Sequence, residues 1–110
     1  ISQPLQHRIA RNLKVVKINS GEEYKVDPAA GLFIVCSGTV ERETLCGNMV
    51  SMRLGDFFNE ENVLFESPIK FNVRARQDTE VFVIETSLIA DVPVARRKMF
   101  ETFLLRMQPS

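Results

Sequence analysis

Two adjacent glutamates, Glu60 and Glu61, lie between Asn59 and Asn62, directly after the run Gly55-Asp56-Phe57-Phe58. Carboxylates and amides at that spacing, at the start of a short helix, admit two kinds of chemistry. Paired acids can serve as general acid and base. A helix start also offers free backbone N–H groups and the positive end of a dipole, which suit an anion. Asp56 and Glu60 would form the acid–base pair, but acids in a turn and at a helix start are common caps. No catalytic residue is assigned on that basis.

His7 is the single histidine. A metal-dependent barrel enzyme of the cupin type needs two or three histidines at its metal. A Ser-His-Asp or Cys-His nucleophile would need this same residue as its base. His7 therefore reads as a helix-surface residue, and the chain as neither an enzyme nor a metal protein. Cys36 falls in an apolar run and Cys46 beside a glycine turn. Without C-x-x-C spacing they read as free thiols in a reducing compartment, which implies a cytoplasmic location.

The elements that must position these residues belong to one domain. The 110 residues are 45% hydrophobic and 25% charged, with 14 basic and 14 acidic side chains and zero net charge. That suits one core and lacks the concentrated positive field of a direct nucleic-acid binder. Arg96-Arg97-Lys98 is a short basic run, read as a solvated helix face. No apolar run is long enough to insert in a membrane. The first residue is Ile1, so residues 1–110 are expected to be one domain cut from a larger protein.

Leu5, Ile9 and Leu13, with Pro4 ahead, predict a short amphipathic helix. Strands are expected at Val15–Ile18, at the continuous apolar run Leu32–Cys36 and at Val40–Leu45. A hairpin turn at Cys46-Gly47-Asn48 leads to Val50, Met52 and Leu54 in alternation. Phe71, Val73 and Ala75 alternate likewise, and Val81–Ile84 is a further apolar strand. Val92, Ala95, Met99, Phe103 and Met107 recur at spacings of three and four, which predicts a terminal amphipathic helix. The sum is an all-β jelly roll, or barrel, with flanking helices and one helical insert.

Three phrases in this order resemble the cyclic-nucleotide-binding domain family. "SGEEY" looks like its glycine-acid turn, and "GLFIVCSGTVERE" like its central strand, Ser-Gly turn and return strand. "LGDFFNEENVLFESPIKFNVRA" looks like its phosphate-binding cassette, G-x-x-F-G-E-x-x-L-L followed by P-R and an Ala-x-V-x-A strand. The resemblance runs from about Lys14 to Leu105. It implies a ligand set of Gly55, Phe58, Asn59, Glu60, Glu61, Asn62, Ile69, Lys70 and Phe71, with cAMP or cGMP as the ligand. Glu60 matches the glutamate that bonds the ribose hydroxyl. Asn59 replaces the usual glycine, Ile69 stands where the phosphate-binding arginine belongs, and Phe71 and Asn72 replace small residues.

Ile69 offers neither charge nor donor. Loss of one partner of a buried charge pair costs about 2–5 kcal/mol, roughly thirtyfold to several-thousandfold in affinity. Lys70 is the neighbouring cation, but strand neighbours point to opposite faces. The expected function is a non-catalytic regulatory module that has kept the fold and lost ordinary cyclic-nucleotide binding. It would act through other domains of the same protein, through a homodimer or partner at the terminal helix, or through another ligand. The alternative is a true cAMP or cGMP sensor in which Glu60 holds the ribose, the N–H groups of Glu61 and Asn62 the phosphate, and Lys70 the charge. A small cupin-type enzyme is the third reading.

Overall fold

The structure, a computed structural model, describes residues 14–44, 47–66, 69–89 and 92–106. The expected helix at Pro4–Leu13, with His7, and the thiol of Cys46 lie outside them. Eight strands form two antiparallel four-stranded sheets. One sheet has the order β1 (Lys14–Ile18), β8 (Thr79–Ile84), β3 (Leu32–Ser37), β6 (Phe57–Phe58). The other runs β2 (Glu23–Val26), β7 (Phe71–Ala75), β4 (Val40–Glu43), β5 (Met49–Met52). Three helices complete the described fold: α1 (Glu60–Phe65), α2 (Thr86–Ile89) and α3 (Pro93–Arg106).

Alternation places the core between the sheets. Phe33, Val35, Val81 and Val83 of one sheet meet Val26, Val40, Val73 and Ala75 of the other. Each fully buried apolar side chain of this size contributes about 1.5–3 kcal/mol. A one-residue slip of β7 would turn Val73 and Ala75 to solvent, so the register Tyr24↔Val73 and Val40↔Ala75 is fixed by burial.

A second cluster lies under the helices: Leu32, Val63, Leu64, Ile84, Leu88, Ile89 and Met99, with Ile34, Phe57 and Phe103 against it. This explains why β3 reads as one apolar run. Phe33 and Val35 face the inter-sheet core, while Leu32 and Ile34 face the helices. The strand of the "GLFIVCSG" phrase thus joins both cores. Gly31, with φ +125°, enters β3 so close to β8 that a Cβ there would collide with the Ile84 carbonyl.

Several local expectations change. β5 ends at Met52, and Leu54 is exposed in a turn, where Asp56 accepts a hydrogen bond from the Arg53 N–H at 2.9 Å. Phe57 and Phe58 form a short strand, β6, against β3. On α3, Met99 is buried, while Phe100 and Leu104 are exposed; Met107 lies outside the described residues. Cys36 is a half-buried thiol whose S–H donates to the Glu80 carbonyl at 3.1 Å.

Candidate functional site

The cassette is built outward from Asn59. This residue adopts a left-handed conformation, φ 74°, where glycine is the usual occupant and asparagine the best-tolerated substitute. Its side chain uses both ends. Asn59 Nδ2 donates to the Gly31 carbonyl at 2.7 Å and to the Pro28 carbonyl at 3.3 Å. Asn59 Oδ1 accepts from Asn62 Nδ2 at 2.6 Å. Asn62 then ties down the next segment: its Nδ2 donates to the Ile69 carbonyl at 2.8 Å, and its Oδ1 accepts from the Ile69 N–H at 3.1 Å. The two asparagines thus stitch the β2–β3 loop, α1 and the approach to β7 into one unit.

The two glutamates are buried and paired with separate arginines. Glu61 Oε1 lies 2.6 Å from Arg42 Nη1, with side chains 5% and 4% exposed. Arg42 reaches this position because it follows Val40 by two on β4 and shares its inward face. Its Nε–H also donates to the Glu43 carbonyl at 3.2 Å, and its guanidinium lies 3.6 Å above the Phe71 ring. Phe71 meets Phe58 edge-on, and Phe58 stacks on Phe33 at 4.9 Å. A continuous column therefore runs from Glu61 through Arg42, Phe71 and Phe58 into the core.

Glu60 turns toward the terminal helix. Its Oε1 accepts from Arg106 Nη1 of α3 at 2.9 Å, and its Oε2 is buried with no hydrogen-bond partner among the described residues. Burial pushes its carboxyl above the ordinary carboxylate range; Arg106 opposes the shift and Glu61 adds to it. Between the ordinary and the raised value the folded chain holds a proton that the unfolded chain releases. Glu60 therefore makes stability fall as pH rises through that window. Chemical denaturation from pH 4 to 8 is expected to show this decline on the acid side, and Glu60→Gln is expected to flatten it.

The remaining candidates are placed as follows. Ile69 is half-buried, with its backbone held by Asn62. Lys70 is exposed and lines a hollow of 280 Å³ with Lys25, Val26, Asp27 and Pro28. Gly55, with φ +90°, sits in the turn before β6, and its N–H bonds the Val35 carbonyl at 2.9 Å. The structure thus brings together Phe58, Asn59, Glu60, Glu61, Asn62, Ile69 and Phe71. It places Lys70 on the surface of that unit and Gly55 in the preceding turn.

Sequence reasoning missed Arg42 and Arg106. For Arg42 a signal was present: the alternation Val40-x-Arg42-x-Thr44 puts an arginine on a core-facing parity. Arg106 carried a weaker one, lying three residues beyond Phe103 on the packed helix face. Among the described residues no cluster of His, Cys, Asp and Glu could hold a metal ion, and no helix is long and apolar enough to cross a membrane.

Two facing antiparallel sheets, with a short helical insert between β6 and β7 and a helix docked after β8, define a jelly roll with flanking helices. The sequence profile of the cyclic nucleotide-binding domain matches residues 24–92, and the chain belongs to that family. No curated protein matches it in sequence.

Solved structures share the fold. A transcriptional regulator of the Crp/Fnr family from Eubacterium rectale aligns with TM-score 0.70 and 16% identity, over 97% of this chain and 57% of its own. The regulatory domain of Toxoplasma gondii protein kinase A, crystallised with cAMP, gives 0.69 and 20%, over 94% of this chain and 44% of its own. The regulatory subunit of a cAMP-independent protein kinase A from Trypanosoma brucei gives 0.69 and 16%, over 98% of this chain and 46% of its own. A triple mutant of that subunit, with glutamate to alanine, threonine to arginine and valine to alanine, is bound to cAMP in the A site. The chain spans less than two thirds of the length of each of these proteins.

Proposed function

We infer that this chain is a non-catalytic regulatory module of a larger protein, in which the cyclic-nucleotide cassette is closed by the protein's own side chains. The observation that carries this reading is the internal pairing of both cassette glutamates, Glu61 with Arg42 and Glu60 with Arg106, while Ile69 stands at the arginine position. Two buried acids are neutralised by two arginines, so an incoming cyclic phosphate finds no uncommitted buried cation among the described cassette residues. It would have to break a buried ion pair to gain one, and an uncompensated buried charge costs several kcal/mol.

The module then acts through protein contacts or through a ligand other than cAMP or cGMP. Its terminal helix supports the first route. Phe100, Leu104 and Leu105 of α3, with Phe65 of α1, are 44–67% exposed. This face suits docking to another domain of the same protein, a partner or a second copy. The kinship with regulatory domains of kinases and transcription regulators fits a cytoplasmic, non-enzymatic role.

One observation favours the alternative of a working sensor: Glu60 Oε2 is buried without a donor among the described residues. A ligand hydroxyl would satisfy it. Isothermal titration calorimetry with cAMP and with cGMP separates the two readings. No saturable heat at millimolar nucleotide is expected; one-to-one binding would overturn the closed-cassette reading and make Glu60 and Arg42 the first residues to substitute.

A further inference from the structure

A cavity of 520 Å³ lies at the end of the sandwich where β1 begins and β8 finishes, within the range of about 300–1,000 Å³ usual for small-molecule sites. Its floor is apolar: Val16, Phe33 and Val83, with the Tyr24 ring beside them. Its rim carries Lys14 and Glu85 at the neighbouring ends of β1 and β8, and Asp27 where the chain leaves β2 of the other sheet.

Among the described residues, these rim groups keep polar atoms to spare. Elsewhere on the surface, charges pair across strands, as in Lys17–Glu80, Arg74–Glu23 and Arg76–Glu41. Lys14, Glu85 and the Tyr24 hydroxyl have no side-chain hydrogen bond or ion pair with any described residue. Asp27 uses Oδ1 to accept from the Ala29 N–H at 2.9 Å, which leaves its second oxygen for a ligand.

We propose that this cavity is a second ligand site, for a free α-amino acid with an apolar or aromatic side chain. The ligand's ammonium faces Asp27 and Glu85, its carboxylate faces Lys14, and its side chain lies on Val16, Phe33 and Tyr24. A cyclic nucleotide is disfavoured here, because its phosphate would meet two carboxylates and one lysine. An amine or an acid alone satisfies half of the rim.

The site is wired to the cassette. Asp27, Ala29 and Ala30 form one wall, and the same loop is pinned from behind where Asn59 Nδ2 bonds the Pro28 and Gly31 carbonyls. Movement of that wall reaches the left-handed residue that opens α1. This inference is independent of whether the cassette binds a nucleotide.

The test is a ¹H–¹⁵N correlation titration of the 110-residue chain with L-phenylalanine, with phenethylamine and 3-phenylpropionate as the two half-ligands. L-Phenylalanine is expected to bind with a dissociation constant of about 1 mM or tighter. It is expected to shift the amides of Ala29, Ala30 and Glu85 and, through the loop, that of Asn59. Lys14→Ala and Glu85→Gln, both at exposed positions, should each weaken binding about tenfold, the loss of one hydrogen bond to a charged group, with the spectrum otherwise unchanged. Lys14→Ala should leave phenethylamine binding unaltered. The proposal is overturned by absence of saturable shifts at about 10 mM, by shifts that survive both substitutions, or by shifts confined to Asn62 and Phe71.

Discussion

Arg42→Met is expected to lower the unfolding free energy by about 3–5 kcal/mol, among the largest effects of any single change in this chain. The substitution leaves the Glu61 carboxylate, 5% exposed, without its partner 2.6 Å away. It also removes the flat cation from the Phe71 ring. The cost is the penalty of stranding a buried charge and is no measure of what the pair contributes. Arg42→Met combined with Glu61→Leu should therefore recover to within about 1 kcal/mol of the parent, since similar apolar volume replaces both charges. Urea denaturation of the two variants checks this. A double variant as unstable as the single one would show that the ion pair itself holds the fold together.

Ile69→Arg together with Phe71→Ala is expected to create measurable cAMP binding, whereas Ile69→Arg alone is expected to remain silent. The arginine adds the missing bidentate cation, an interaction whose loss costs about 2–5 kcal/mol, or roughly thirtyfold to several-thousandfold in affinity. The backbone of Ile69 is held by Asn62 through its N–H and carbonyl, so the loop does not depend on the side chain that is replaced. Phe71 is the remaining obstacle, because its ring lies under the Arg42 guanidinium and against Phe58. Calorimetry of both variants decides the matter. If the single variant binds, the aromatic column is no barrier. If neither binds, Asn59 and the paired glutamates close the site on their own.

The strands were legible in the sequence wherever one face was buried, as in the alternation of Phe71, Val73 and Ala75. Leu54 broke the pattern because alternation says nothing about where a turn begins, and Asp56 caps that turn through the Arg53 N–H. β6 was illegible because two residues carry no period. In the cassette, the departures at Asn59, Ile69 and Phe71 could be seen residue by residue. What replaced the lost interactions could not. Arg42 comes from a strand 18 residues before Glu60, and Arg106 from a helix 46 residues after it, and only the closed sandwich sets them beside the glutamates. The parity of Arg42 was readable, but a buried arginine runs against composition-based expectation.

The pairing of strands also orders events in time. β1 finds its partner in β8, Lys14 opposite Val83, and β2 finds its partner in β7, Glu23 opposite Arg74. On a ribosome, the β2-β7-β4-β5 sheet cannot be completed before residue 75 has emerged, nor the β1-β8-β3-β6 sheet before residue 84, where the first strand of the described fold waits for the last. Such non-local pairing places folding in the millisecond-to-second range. During synthesis β1 and β2 are exposed edges, and Lys14, Lys17 and Lys25 supply the charges that discourage pairing with another nascent chain.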